Sequence, residues 1–145
     1  TLHVVEPVSR EATAVLSVLK QAARALYSNP PAHGTKIAAE VLGDGELRSR
    51  WMGEVTEMRQ RVQAMRQGLY EAGKSFGADL GFALKQRGIF SFTGFSPEEM
   101  EYLRVRHAVY GIDNGRIAMP GLTEPVLQHV AGAFSDVLNR RGNRL

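Results

Sequence analysis

The pair Pro30-Pro31 constrains this chain more than any other feature. Two successive prolines remove two backbone donors and push Asn29 out of the helical region, so a helix arriving from the N-terminal side must end near Leu26. Gly34 then lets the backbone turn into the next element. Before the break, Val8, Ala12, Val15, Leu19, Ala22 and Leu26 recur at steps of four and three, which puts them on one helical face. Ser9 is expected as the N-cap, with Glu11 in a first turn where the helix dipole favours an acid. Arg24 falls in the last turn, off the apolar stripe. After the break, Thr35 to Leu42 reads as a short helix with Ile37, Ala38, Val41 and Leu42 inward.

Gly43-Asp44-Gly45 ends that helix, and Asp44 is placed to cap the next. The longest element follows. Leu47, Trp51, Val55, Met58, Val62, Met65 and Leu69 form a heptad-like stripe, with the helix methionines expected in the core. Arg48, Arg59, Arg61 and Arg66 lie mostly off it, among Glu54, Glu57, Gln60 and Gln63, and read as a solvated face. Gly73 to Gly81 reads as a helix end and loop, and Phe82 to Arg87 as one helical turn. Ile89 to Thr93 is rich in strand formers. Ser96-Pro97-Glu98-Glu99 is a capping box with proline at the first helical position, opening a helix to about Arg106. Val109–Ile112 and Arg116–Met119 read as strands around an Asp113-Asn114-Gly115 turn. Pro120 places the pairing of the second strand in question. A last helix opens near Thr123 and carries Val126, Val130, Phe134, Val137 and Leu138, with a frayed basic end at Arg140–Arg144. The expected class is α/β: a long helix plus a small antiparallel or mixed sheet covered by helices.

Composition narrows the function. A length of 145 residues with 43% hydrophobic and 23% charged residues describes an ordinary globular domain. The net charge of +3 is spread along the chain rather than clustered with exposed aromatics, which argues against a nucleic-acid binder. Cysteine is absent, so disulfides and thiolate metal sites are excluded, and a cytoplasmic location is expected. No apolar run approaches the ~20 residues of a membrane span. The chain opens without methionine, and Leu2–Val5 reads as a strand starting at once. The expectation is that Thr1 is not the biological N-terminus.

Four blocks carry a resemblance. They are Arg24 with Tyr27-Ser28-Asn29-Pro30-Pro31-Ala32-His33-Gly34; Trp51 with Met58 to Arg66; Gln86-Arg87-Gly88-Ile89-Phe90-Ser91-Phe92-Thr93-Gly94; and Val109-Tyr110 leading to Gly115-Arg116-Ile117. In order and spacing the chain resembles the C-terminal part of aspartate and aromatic amino-acid aminotransferases, the class I, fold-type I enzymes that use pyridoxal phosphate. The resemblance covers essentially the whole chain but well under half of a family subunit. It implies that residues 1–45 end the large cofactor-binding portion. Residues 46–145 would then supply a long connecting helix and the small C-terminal domain.

The resemblance also implies roles. Arg116 matches the arginine that binds the substrate α-carboxylate, whereas its residue-level reading alone is a surface arginine capping a turn. Arg24 matches the arginine that binds the second carboxylate of dicarboxylic substrates, reaching a neighbouring subunit's site across a homodimer. Its plain alternative is a cation at a helix C-terminus. Ser28 and Asn29 lie beside it as pocket residues or as turn formers. Phe90 matches an aromatic wall of the pocket, or else is core. Tyr27, Tyr70 and Tyr110 read as packing, and no histidines are spaced as metal ligands. The family's Schiff-base lysine has no match among Lys20, Lys36, Lys74 and Lys85, so the chain alone is expected to be an inactive fragment. The substrates implied are amino acids and 2-oxo acids. The alternative from another class is a non-catalytic helical binding module.

Overall fold

The computed structural model describes Val5 and residues 7–142. The strand expected at Leu2–Val5 lies essentially outside the described residues, as do Asn143 and Arg144. Two compact units divide within the longest helix, Thr1–Trp51 and Met52–Leu145.

In the first unit, α1 (Ser9–Tyr27) and α2 (His33–Gly43) flank the proline break. Val8, not Ser9, occupies the N-cap of α1 and offers no side-chain cap. Ser9 is already helical, and its carbonyl accepts from the Thr13 hydroxyl at 2.9 Å. The C-terminal end of α1 is as expected, with Arg24 in the last turn and its carbonyl accepting from Ser28 N. The apolar stripes of both helices stay largely uncovered: neither helix has a buried residue. Tyr27 is exposed as well, contrary to its reading as a packing residue. The Asp44 cap forms, with Leu47 N donating to its carboxylate at 2.8 Å and opening α3 (Gly45–Ser75).

In the second unit, α3 buries only its C-terminal half. Met65, Leu69 and Ala72 are core, while Met52 and Met58 are exposed, so the methionine assignment holds for Met65 alone. Helix continues through Gly73 to Ser75, beyond the point where the glycines were expected to loosen it. Tertiary packing overrides the weak propensity here: Leu80 and the Ala78 carbonyl close directly over Gly73. After α4 (Phe82–Lys85) comes β1 (Phe90–Phe92), then α5 (Pro97–His107), β2 (Arg116–Ala118), a 3₁₀ turn at Met119–Gly121 and α6 (Glu124–Gly142). The capping box of α5 is complete: Ser96 N donates to Glu99 at 2.8 Å and Glu99 N to the Ser96 hydroxyl at 3.3 Å.

The sheet has two strands, β1 and β2, antiparallel, with Ser91 opposite Ile117. Val109–Ile112 is not a strand. Its Ile112 N closes back on the Arg116 carbonyl across the turn, and Tyr110 is exposed. Pro120 sits in the 3₁₀ turn, past the last paired residue, so it removes no ladder bond. The expected fraying at Arg140–Gly142 does not occur, because Arg141 is clamped by Glu99 and the Gly94 carbonyl. The core joins Leu69, Leu80, Met100, Leu103, Met119, Phe134 and Val137, and Phe95 meets Phe134 edge-on at 5.1 Å. Each such side chain contributes about 1.5–3 kcal/mol by burial. Tyr102 on α5 donates to Asp136 on α6 at 2.7 Å, and His107 bonds the same oxygen at 2.9 Å.

Candidate functional site

The β1–β2 pair sorts its residues by alternation. Ser91 and Ile117 point into the core, which leaves Phe90, Phe92, Arg116 and Ala118 on the opposite face. Arg116 follows a tight turn whose hydrogen bonds fix its backbone on both sides. Gly115 N donates to the Ile112 carbonyl at 2.8 Å, and Arg116 N to the Asn114 side-chain oxygen at 3.1 Å. Thr93 ties down the Gly115 carbonyl twice, through its amide at 2.9 Å and its hydroxyl at 3.0 Å. The Arg116 guanidinium carbon lies 4.7 Å from the centre of the Phe90 ring. Its Nε is buried and has no hydrogen-bond partner among the described residues. A held cation, stacked on an aromatic and carrying an unpaired buried donor, is suited to an anionic acceptor.

Arg116 and Phe90 are therefore together. Arg24, Ser28 and Asn29 form a separate group in the first unit, at the end of α1, and all three are exposed. Ser28 adopts φ 60°, ψ −69°, and Asn29 N donates to the Tyr27 carbonyl at 2.7 Å, so the break is a tight and strained turn.

Two residues bonded to β1, Arg66 and Gln86, were given no role in the sequence reading. Arg66 was placed on the solvated face of the long helix, yet it is 6% exposed. Its Nη1 donates to the Ala83 carbonyl at 2.8 Å and the Ser91 hydroxyl at 2.7 Å, and its Nη2 to the carbonyls of Gly88 at 2.7 Å and Phe90 at 2.9 Å. Burial lowers the pKa of this guanidinium from its ordinary value. Gln86 offers its amide to the free edge of β1, accepting from Phe92 N at 2.7 Å and donating to Phe92 O at 2.9 Å. A signal for Arg66 was available: it stands four residues after Val62 and three before Leu69, on their side of the helix. Arg61 stays exposed, as expected, while donating to the carbonyls of Pro120 and Leu122. Among the described residues no group of acids and histidines could hold a metal ion, and no helix is long and apolar enough to cross a membrane.

Comparison with known proteins agrees with this architecture. The family described as "Aminotransferase class I and II" matches residues 5–134. The chain belongs to that family. It is 43% identical over 127 residues to an aromatic-amino-acid aminotransferase of Pseudomonas aeruginosa, covering 86% of this chain and 32% of that protein. It is 38% identical over 129 residues to an aspartate aminotransferase of Haemophilus influenzae, covering 88% and 33%. Among solved structures it is similar to the aromatic-amino-acid aminotransferase of Burkholderia pseudomallei, covalently bound to pyridoxal phosphate. There the TM-score is 0.78 and the identity 42%, over 92% of this chain and 34% of that one. The chain spans about a third of the length of the curated relatives it matches. These matches favour the enzyme family over the non-catalytic module.

Proposed function

We propose that the chain is the C-terminal portion of a pyridoxal-phosphate-dependent aminotransferase that moves an amino group between an aromatic or dicarboxylic amino acid and a 2-oxo acid. Residues 1–45 would close the cofactor-binding portion and residues 46–145 form the connecting helix and small domain. The observation that carries the reading is the buried, unpartnered Nε of Arg116. A buried donor without a partner costs about 1–3 kcal/mol, and an α-carboxylate in the guanidinium plane would remove that deficit. Phe90, against one face of the guanidinium, restricts its swing and walls the same pocket.

Arg24 is read as the partner for a second carboxylate, with Ser28 and Asn29 beside it. Its support is an exposed side chain at the rigid end of a helix. The uncovered apolar faces of α1 and α2 support a larger subunit and a homodimer with a shared site.

The cofactor supplies the electron sink when bound. The residues present do not fit its attachment. Lys20, Lys36, Lys74 and Lys85 are all exposed on helices, whereas a Schiff-base lysine is desolvated or otherwise made less basic. Lys74 goes the other way, its pKa raised chiefly by a hydrogen bond to Glu71. The contribution of this chain is therefore to bind and orient substrate, and by itself it is inactive. Orientation is a large share of catalysis, because a fixed reactant is already close to its reactive geometry.

The test is Arg116→Ala in the full-length enzyme. The expected outcome is a loss of about 2–5 kcal/mol in kcat/KM for aspartate and phenylalanine alike, since both carry an α-carboxylate. Unchanged kinetics with both would remove Arg116 from the site.

A further inference from the structure

Arg66 presents an unusual combination. It is a buried cation, and the four bonds recorded for it go to neutral oxygens rather than to a carboxylate. An apolar side chain of similar size would avoid the cost of burying the charge. What only arginine offers is a planar fork of donors. Here the fork gathers α4, the Gly88 turn and β1 into one unit through Ala83, Gly88, Phe90 and Ser91.

We infer that Arg66 is a positioning residue for Arg116, acting through β1; the inference rests on the reading of Arg116 as the carboxylate-binding arginine. Two routes connect them. Arg66 holds the Phe90 carbonyl, and the Phe90 ring lies against the Arg116 guanidinium. Arg66 also holds the Ser91 hydroxyl, and Ser91 pairs with Ile117, the neighbour of Arg116 in β2. A two-stranded sheet of three-residue strands is marginal by itself, so its position depends on such outside ties. Gln86 holds the remaining edge at Phe92. With both outward-facing residues of β1 bonded to side chains, the strand cannot slide, and the angle of the Arg116 guanidinium is set.

The experiment compares Arg66→Lys, Arg116→Lys and the double variant in the full-length, cofactor-loaded enzyme. Lysine keeps the charge but loses the fork. The expected result for Arg66→Lys is a rise in KM of about tenfold to a hundredfold, for aspartate and phenylalanine alike, with kcat changed less. In the Arg116→Lys background the same change should add little, because the residue through which Arg66 acts is already altered. A fall in apparent kcat at unchanged KM would mean only lost folded enzyme, and would overturn the inference. Full additivity in the double variant would overturn it too. If Arg116→Lys itself left KM unchanged, the reading of Arg116 would be the part that failed. Should Arg66→Lys not fold, Ser91→Ala removes one of the four bonds; a rise in KM of about two- to tenfold is expected, and an unchanged KM overturns the inference.

Discussion

Gly115→Ala isolates the contact that holds the turn before Arg116. Two separate penalties apply. Gly115 has φ +80°, a left-handed conformation that costs an L-residue about 1–2 kcal/mol. An added Cβ would also stand 2.9 Å from the Phe95 carbonyl oxygen and 3.1 Å from the Thr93 hydroxyl. Neither neighbour yields easily, since the Thr93 hydroxyl donates to the Gly115 carbonyl and accepts from Phe95 N. Overpacking of this kind costs a further ~1–3 kcal/mol. Gly77 provides the control: its φ is +68°, but nothing lies within 4 Å of the position a Cβ would take. Gly77→Ala should therefore lose only the conformational penalty of about 1–2 kcal/mol, and Gly115→Ala about 2–5 kcal/mol. The assay is urea unfolding followed by far-UV circular dichroism, comparing midpoints at unchanged slope. Fluorescence is the wrong probe, because the single tryptophan, Trp51, belongs to the first unit. Equal losses in the two variants would refute the contact argument.

Arg24→Ala in the full-length enzyme should discriminate between substrates, losing roughly 2–4 kcal/mol in kcat/KM for aspartate and much less for phenylalanine. Steady-state kinetics with both substrates checks it, and equal losses would make Arg24 a helix-end cation only. Hydrogen bonds from Tyr102 first, and then His107, lower the pKa of the Asp136 carboxyl from its ordinary value. A lowered folded-state pKa gives stability that is present above the unfolded value of about 3.9 and lost as pH falls through the folded one. The stability gap between the native protein and Asp136→Asn should thus be open at pH 5 and close as pH falls below about 4, as read by urea melts across that range.

How much was legible follows from the range of each interaction. The proline break, the Asp44 cap, the Ser96–Glu99 capping box and the Gly115 turn are decided by residues within a few positions of one another. Local sterics and hydrogen bonds suffice, so these could be read directly. The proximity of Phe90 to Arg116 is not a local matter. In the structure it depends on a strand register between segments some 25 residues apart. Val109–Ile112 misled because its β-branched residues favour strand, but among the described residues no partner strand lies alongside. The stripe of α3 misled because helical periodicity names a face without saying how much of its length will be covered. Met58 and Met65 share that face, yet only Met65 meets the core. The same holds for Arg66. Its charge argued for solvent, and its position on the wheel argued for the interior. What settled the matter was a set of carbonyls from residues 83–90 and the Ser91 hydroxyl, which converge on one guanidinium only once the chain has folded. By itself the sequence determined where most of the helices lie, the caps at Asp44 and Ser96, the proline and Gly115 turns, and the family, since these rest on local chemistry and ordered motifs. Tertiary structure alone decided which cations are buried and which strand edges are held, because those depend on acceptors brought together from distant parts of the chain.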